Sequence, residues 1–354
     1  MRLEKLREDI YRKELDGFIV TDPINRRYIS GFTGSAGLLL VTELGAYLIT
    51  DFRYIEQAKS EAYEFQVIRQ GTSIFETLVE VMVDKGLKNV GFESENMSFK
   101  DYDDLSRLSK NIRLVPANGV IERIRMIKDD IEIEKIRNAA KLSDKAFSRV
   151  LEIMRPGVKE RDIAIELEYL FRKFGGERAS FDTIVASGER GALPHGTASE
   201  KPLQDGDLVT IDFGVVFEGY SSDCTRTIAI GNISHKAEEI YNIVLRAQLA
   251  GLKAVKSGMS CKALDSLVRS IIVEEGYGDF FGHGLGHGVG MRVHESPVLS
   301  QRGTDTLRPG MVVTIEPGVY LPGWGGVRIE DLVVIHEDGV EILTKTTKDL
   351  LVFK

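Results

Sequence analysis

VTIDFGVVFEGYSSDCTRTIAI, residues 209–230, reads as two apolar β runs around a tight turn at Glu218-Gly219, with Asp212 inside the first run and Asp223 beside the second. The midpoint of the two acids falls at Phe217/Glu218, next to that turn. Residues equidistant from a hairpin turn face one another, so the carboxylates are expected nearly opposite on adjacent strands. The pattern returns in VVTIEPGVYLPGWGGVRIEDLVVI, residues 312–335, where Gly323 in the turn-forming Pro322–Gly326 segment is the midpoint of Glu316 and Glu330. Unpaired acids buried among apolar residues cost several kcal/mol each. A solvent-facing strand position explains one such acid but poorly explains two symmetric pairs. Arg226 and Arg328 could answer two of the four charges as buried ion pairs, whereas two divalent cations answer all four.

An imidazole source lies between the hairpins, in FGHGLGHGVGMRVHE, residues 281–295. Glycine at 282, 284, 286, 288 and 290 leaves one face of an extended strand bare and turns His283, Leu285, His287 and Val289 to the other. On a regular strand His283 and His287 stand roughly 13 Å apart at about 3.3 Å per residue, too far to share one ion. One is expected as a metal ligand and the other as a substrate contact. Carboxylates with a single imidazole suit Mn²⁺, Co²⁺, Fe²⁺ or Zn²⁺ rather than Cu⁺, which prefers sulfur.

Outward from these hairpins the chain changes texture. Residues 16–21, 37–42, 45–50, 65–69, 89–94 and 112–117 are short apolar runs alternating with amphipathic helical patterns, two of them capped at Ser73 and Ser98. That alternation predicts an α/β amino-terminal domain over 1–122. One long charged helix is expected from about Ile121 to Pro156-Gly157. Helices over about 159–174, 235–257 and 261–275 then separate strand and hairpin stretches at 181–230, 281–300 and 308–353, which predicts an α+β domain over 123–354. The 354 residues suffice for two such domains, and the 43% hydrophobic content excludes disordered and fibrous classes. With a net charge of −8 and no basic stripe, nucleic acid is not an expected partner. No apolar run approaches the roughly 18 residues of a membrane span, so a soluble cytoplasmic protein without a membrane partner is expected. Cys224 and Cys261 lack a paired metal-ligand spacing and read as reduced structural thiols.

The motifs resemble those of the M24 "pita-bread" metallopeptidases, which include methionine aminopeptidase, aminopeptidase P and prolidase. IDFG and SDCTRT are similar to the family's aspartate motifs, GHGLGHGVG to its histidine motif, and TIEPG and VRIED to its glutamate motifs. The resemblance implies a pita-bread catalytic domain in which Asp212, Asp223, His287, Glu316 and Glu330 bind two divalent metal ions, Mn²⁺ or Co²⁺ ahead of Zn²⁺ or Fe²⁺. It makes Asp223 and Glu330 the bridging acids. NRRYISGFTGSAG and RMIKDDIEIEKIRNAA resemble the creatinase-like amino-terminal domain and its junction, which methionine aminopeptidases lack and the proline-specific branch carries. Creatinase and the histone-chaperone relatives lack the full ligand set found here.

By the same resemblance His195 (in ALPHG), His283 and His294 are substrate-site histidines, and His294 donates a hydrogen bond to the developing oxyanion. Glu316 doubles as general base and acid. Arg328 shares a strand face with Glu330 and is expected to buttress the acids. The expected substrate is a peptide with proline at the second position, and the expected assembly a homodimer. Small prolidases commonly carry an arginine after the HE-x-P segment that suits a terminal carboxylate; here HESPVLSQR places Val298 there and Arg302 four residues on. This departure favours an Xaa-Pro aminopeptidase over an Xaa-Pro dipeptidase. A peptide-binding module without turnover is the reading from a different class.

Overall fold

The computed structural model describes residues 2–354, which divide after Arg125 into two compact units. The first is an α/β unit. Its strands β1 (Gly17–Val20), β2 (Leu38–Thr42), β3 (Ala46–Thr50), β4 (Gln66–Arg69), β5 (Asn89–Glu93) and β6 (Arg113–Ala117) form a mixed sheet in the order β4-β3-β2-β1-β5-β6. Helices α1 (Arg2–Arg12), α2 (Pro23–Ser30), α3 (Ile55–Glu61), α4 (Ile74–Asp84), α5 (Phe99–Leu108) and α6 (Val120–Met126) alternate with them. Ser73 caps α4 by accepting from the Phe75 amide, and Ser98 caps α5 by accepting from the Asp101 amide. Ile19, Leu40, Ile49 and Val90 from four strands pack with Leu78 and Met82 of α4, which makes the sheet's covered face the core of this unit.

The second unit opens with α7 (Asp130–Val150) and α8 (Glu160–Lys173). The single helix expected from Ile121 is therefore two. The Asp129 carboxylate accepts from the Glu132 amide and the Glu132 carboxylate from the Asp129 amide, a reciprocal cap that starts a new helix instead of continuing the old one. Strands β7 (Arg178–Ala179), β8 (Ile184–Ser187), β9 (Leu208–Phe213), β10 (Val215–Phe217), β11 (Tyr220–Ser221) and β12 (Cys224–Ile230) follow, then α9 (His235–Ala254) and α10 (Cys261–Glu274). The remainder is β13 (Gly286–Gly288), β14 (Glu295–Leu299), β15 (Val312–Ile315), β16 (Gly318–Leu321), β17 (Gly325–Arg328), β18 (Asp331–His336), β19 (Gly339–Ile342) and β20 (Val352–Phe353). Two larger sheets run β20-β12-β9-β8 and β14-β13-β15-β18-β19, with the hairpin β16-β17 beside them.

Strand alternation sorts the side chains of these sheets. Ile211 and Phe213 of β9 join Cys224 and Ile228 of β12 in a core under α7 and α8, where Phe213 stacks on Phe147 at a centroid distance of 4.7 Å. Val313, Ile315, Val327, Ile329 and Val333 fill a second core with α9 and α10. The residues between them, Asp212, Thr225, Thr314, Glu316, Arg328 and Glu330, turn the opposite way. Burying a leucine- or valine-sized side chain is worth about 1.5–3 kcal/mol, so the apolar faces fix the register and with it the place of every acid.

The hairpin arithmetic holds for one acid pair and shifts for the other. Gly318 opposes Arg328 and Ile315 opposes Asp331, so Glu316 and Glu330 stand at the same level between the two ladders. In the first hairpin Phe217 pairs with Tyr220 across a two-residue turn, and Asp212 opposes Thr225 rather than Asp223. Glu218 and Gly219 both have positive φ, 48° and 83°, which centres the turn between them, one residue later than the midpoint of the acids. Asp223 therefore sits diagonally from Asp212, in the break between β11 and β12. Cys224 and Cys261 are free and buried. Among the described residues no helix is long and apolar enough to cross a membrane.

Candidate functional site

All nine residues singled out in the sequence, Asp212, Asp223, His287, Glu316, Glu330, His195, His283, His294 and Arg328, line one cavity of about 500 Å³ in the second unit. β9 brings Asp212, the β11–β12 break Asp223, β13 His287, and the paired ends of β15 and β18 bring Glu316 and Glu330. β13 is only three residues long, so the extended strand expected across 281–290 is confined to its middle. Its glycines serve close backbone approach. A Cβ on Gly286 would stand 2.1 Å from the Thr314 carbonyl oxygen and one on Gly288 2.2 Å from that of Ser296. His283 lies before the strand, with its ring against Tyr320.

The His287 ring is set by its own backbone. Nδ1 lies 3.1 Å from the Gly288 carbonyl oxygen, to which it can only donate. Nε2 then faces Glu316 Oε1 at 3.2 Å and Asp223 Oδ2 at 3.6 Å. Ligand atoms of Asp223, His287 and Glu330 all lie within 4.8 Å of one another. A ring nitrogen that donates to a carbonyl while the other faces carboxylates is the arrangement of a metal-ligating histidine.

The charges around it are not balanced by the chain. Arg328 donates from Nη2 to Asp212 Oδ2 at 2.7 Å, from Nη1 to Tyr320 at 2.9 Å and from Nε to Thr225 at 3.1 Å. It thus answers one acid. Arg226, the other cation read from the sequence, is spent on Asp331 at 2.7 Å. Asp212 Oδ1 and Glu330 Oε1 are buried without a hydrogen-bond partner among the described residues. Burial pushes Asp223 and Glu330 well above the usual carboxylate range, and the neighbouring acids push them further. Burial raises Asp212 too, against the pull of Arg328. Glu316 goes the other way: although burial works against it, the hydrogen bond from His287 holds it down at about 2. Orphaned oxygens, acids forced toward the neutral form and an imidazole nitrogen aimed among them fit a divalent metal centre.

The remaining histidines differ in what they have left to offer. His283 has both nitrogens engaged, Nδ1 at 2.7 Å from the Gly284 carbonyl and Nε2 at 2.9 Å from the Tyr320 hydroxyl, and burial lowers its pKa. It offers the cavity a ring edge rather than a free nitrogen. His294 stands 4.3 Å from His287, centroid to centroid, and burial, with the His287 charge, lowers its pKa. His195 is exposed at the rim. Val298, 50% exposed, also lines the cavity, whereas Arg302 is exposed and is not part of its wall.

Sequence reasoning missed three contributors. Thr225 donates to Glu330 Oε2 at 2.7 Å and Thr314 to Glu316 Oε1 at 3.0 Å. Each lies two residues from an acid, Asp223 and Glu316 respectively, a period-2 signal that could have named them. Tyr320 joins His283 to Arg328. An aromatic residue in an apolar hairpin gives no comparable signal.

Comparison with known proteins bears on the chain as a whole. Metallopeptidase family M24 matches residues 134–337, and the creatinase/prolidase N-terminal domain matches residues 2–127. An Xaa-Pro dipeptidase of Pyrococcus furiosus is 41% identical over 352 residues, 99% of this chain and 99% of that protein. The structure of an Xaa-Pro dipeptidase from Bacillus anthracis has a TM-score of 0.97 and 44% identity, covering 99% of both chains. That of an X-Pro aminopeptidase from Thermotoga maritima has a TM-score of 0.92 and 41% identity, covering 99% of this chain and 100% of the other. With a catalytic-domain match across more than half of its length and likeness running end to end on the same creatinase-like and pita-bread fold, the chain belongs to metallopeptidase family M24.

Proposed function

We propose that this chain is a metal-dependent Xaa-Pro dipeptidase, hydrolysing the bond between a first residue and a terminal proline. The observation that carries the reading is the unbalanced cluster of buried acids around His287 Nε2. The preference for a dipeptide rests on the names of the Pyrococcus and Bacillus relatives, and it replaces the aminopeptidase expected from Val298. Asp212, Asp223, His287, Glu316 and Glu330 would hold two divalent ions, Mn²⁺ or Co²⁺ before Zn²⁺ or Fe²⁺. When bound, such ions polarise the scissile carbonyl and bring the attacking water's pKa toward neutrality.

The chain's own groups do the rest. Glu316 takes the water's proton and returns it to the leaving proline nitrogen. Its low pKa reflects the hydrogen bond that His287 donates to it, a bond that Nε2 would give up in holding a cation. His294 donates an N–H to the oxygen that gains charge on attack. His195 at the rim orients the proline end. Arg328 keeps Asp212 aimed at the cavity, and Tyr320 keeps His283 in place.

A second reading, Xaa-Pro aminopeptidase, draws on the apolar Val298 in the cavity wall and on the likeness to the Thermotoga enzyme. Arg328, the arginine that lines the cavity, is spent on Asp212 and Tyr320, so it is not free for a terminal carboxylate. The two readings part on one ratio, kcat/KM for Xaa-Pro over kcat/KM for Xaa-Pro-Xaa. A dipeptidase should favour Xaa-Pro by about tenfold or more, about 1.4 kcal/mol of transition-state binding. A tripeptide preference of that size would overturn the first reading in favour of the second.

A further inference from the structure

His195 reaches the cavity from a loop that has little structure of its own. Residues 188–199 hold one 3-10 turn, Gly188–Ala192, and a single β-bridge from Thr197 to Ile184 of β8, yet Pro194, His195 and Thr197 all line the cavity. Among the described residues no hydrogen bond holds the His195 side chain, so its place depends on where the backbone is fixed. That backbone is gathered under the loop by one carboxylate. Glu160, the first residue of α8, has a side chain with no exposure to solvent. Its Oε1 accepts from the Ser187 amide and hydroxyl, both at 2.7 Å. Its Oε2 accepts from Arg190 Nε at 2.9 Å, the Ser199 amide at 3.1 Å and the Ser199 hydroxyl at 2.6 Å. Ser187 ends β8 just before the loop and Ser199 closes it, so a single side chain ties both ends. Arg190 also reaches across the base, Nη2 to the Thr197 carbonyl at 2.5 Å. On the other side Arg328 Nη1 donates to the Pro194 carbonyl at 3.3 Å, and Gly191 packs so closely on β17 that a Cβ there would stand 2.8 Å from the Gly326 nitrogen.

We propose that Glu160 is a positioning residue for His195: its buried carboxylate closes the 188–199 loop and thereby sets the rim of the substrate cavity. A helix-start glutamate is ordinarily a surface residue that complements the helix dipole. A glutamate with five donors from three residues flanking one loop does something else, because every donor favours the ionised form and each is lost if the loop lifts. The burial that works against its charge is outweighed by the Ser199 and Ser187 hydrogen bonds and by Arg190, which hold the carboxyl below its usual range. The inference rests on the reading of this cavity as a peptide-hydrolysing site in which His195 meets substrate.

Glu160→Gln tests it, because the amide keeps the size but offers one acceptor oxygen and an NH₂ that confronts the donors. Hydrogen exchange should accelerate by about tenfold or more at amides 188–199 and stay unchanged over 209–230. In the loaded enzyme kcat/KM for an Xaa-Pro substrate should fall by about tenfold with metal content intact, and in a His195→Ala background the same change should matter by less than about twofold. Full additivity of the two substitutions, or exchange unchanged at 188–199, would overturn the proposal. Should Glu160→Gln fail to fold, Arg190→Gln removes one of the same five ties, together with the bond from Arg190 to the Thr197 carbonyl, at a partly exposed position and carries the same expectations. A wild-type protein without activity on Xaa-Pro peptides sinks the functional reading instead, and the exchange arm then decides the loop claim by itself.

Discussion

At the scale of residues, the site is a set of side chains whose second contacts decide what the first can do. The Gly288 carbonyl claims His287 Nδ1, which leaves Nε2 for the acids; Tyr320 and Gly284 claim both nitrogens of His283, which leaves it none. Among the described residues no hydrogen bond holds the His294 ring, which stands beside His287. His294→Ala should therefore keep its metal content by elemental analysis while kcat falls by roughly 10²-fold or more, the scale of one lost oxyanion donor. Loss of metal instead would exchange the roles of the two histidines. The four acids stood out because an acid among strand apolars is an anomaly that asks for a cation, whereas His287 was set apart from His283 by the family resemblance. Tyr320 and Glu160 were not. A tyrosine among strand apolars and a glutamate at a helix start are ordinary where they stand, and only contacts far along the chain make them part of the site.

Elements were legible where local pattern and tertiary demand agree. The six strands of the first unit and the caps Ser73 and Ser98 follow from periodicity and capping chemistry alone. The break between α6 and α7 was hidden because Ile-Lys-Asp-Asp carries no glycine or proline; what stops the helix is the Asp129–Glu132 cap, and Lys128 in the same link has a tertiary partner. Its ammonium, 1% exposed, lies 2.7 Å from Glu295, 8% exposed and next in sequence to His294. Burying that lysine asks for an extended link rather than a helical turn. Lys128→Met should lower stability in urea unfolding by about 3–5 kcal/mol, since it leaves the Glu295 charge buried without that cation. Replacing both partners, Lys128→Met with Glu295→Leu, should recover much of the loss. A single-variant loss under about 1 kcal/mol would mean that water reaches the pair.

At the scale of the whole molecule, the fold class and the family were both within reach of the sequence, because the acid-bearing hairpins and the histidine segment are spaced by the sheets that carry them. The specificity was not. The expectation rested on Val298, where an absence had to stand for evidence, and the dipeptidase relatives favour the other reading over the aminopeptidase that the absence suggested. The centre itself is less ambiguous, since the buried acids outnumber the cations placed among them whichever peptide is bound. The most direct measurement of the central claim is free proline released from an Xaa-Pro dipeptide by protein stripped with a chelator and then titrated with Mn²⁺ or Co²⁺. The account predicts no release from the stripped protein and turnover that climbs to a plateau at about two ions per chain. Undiminished release without metal, or a chain that takes up its ions and frees no proline, would contradict it.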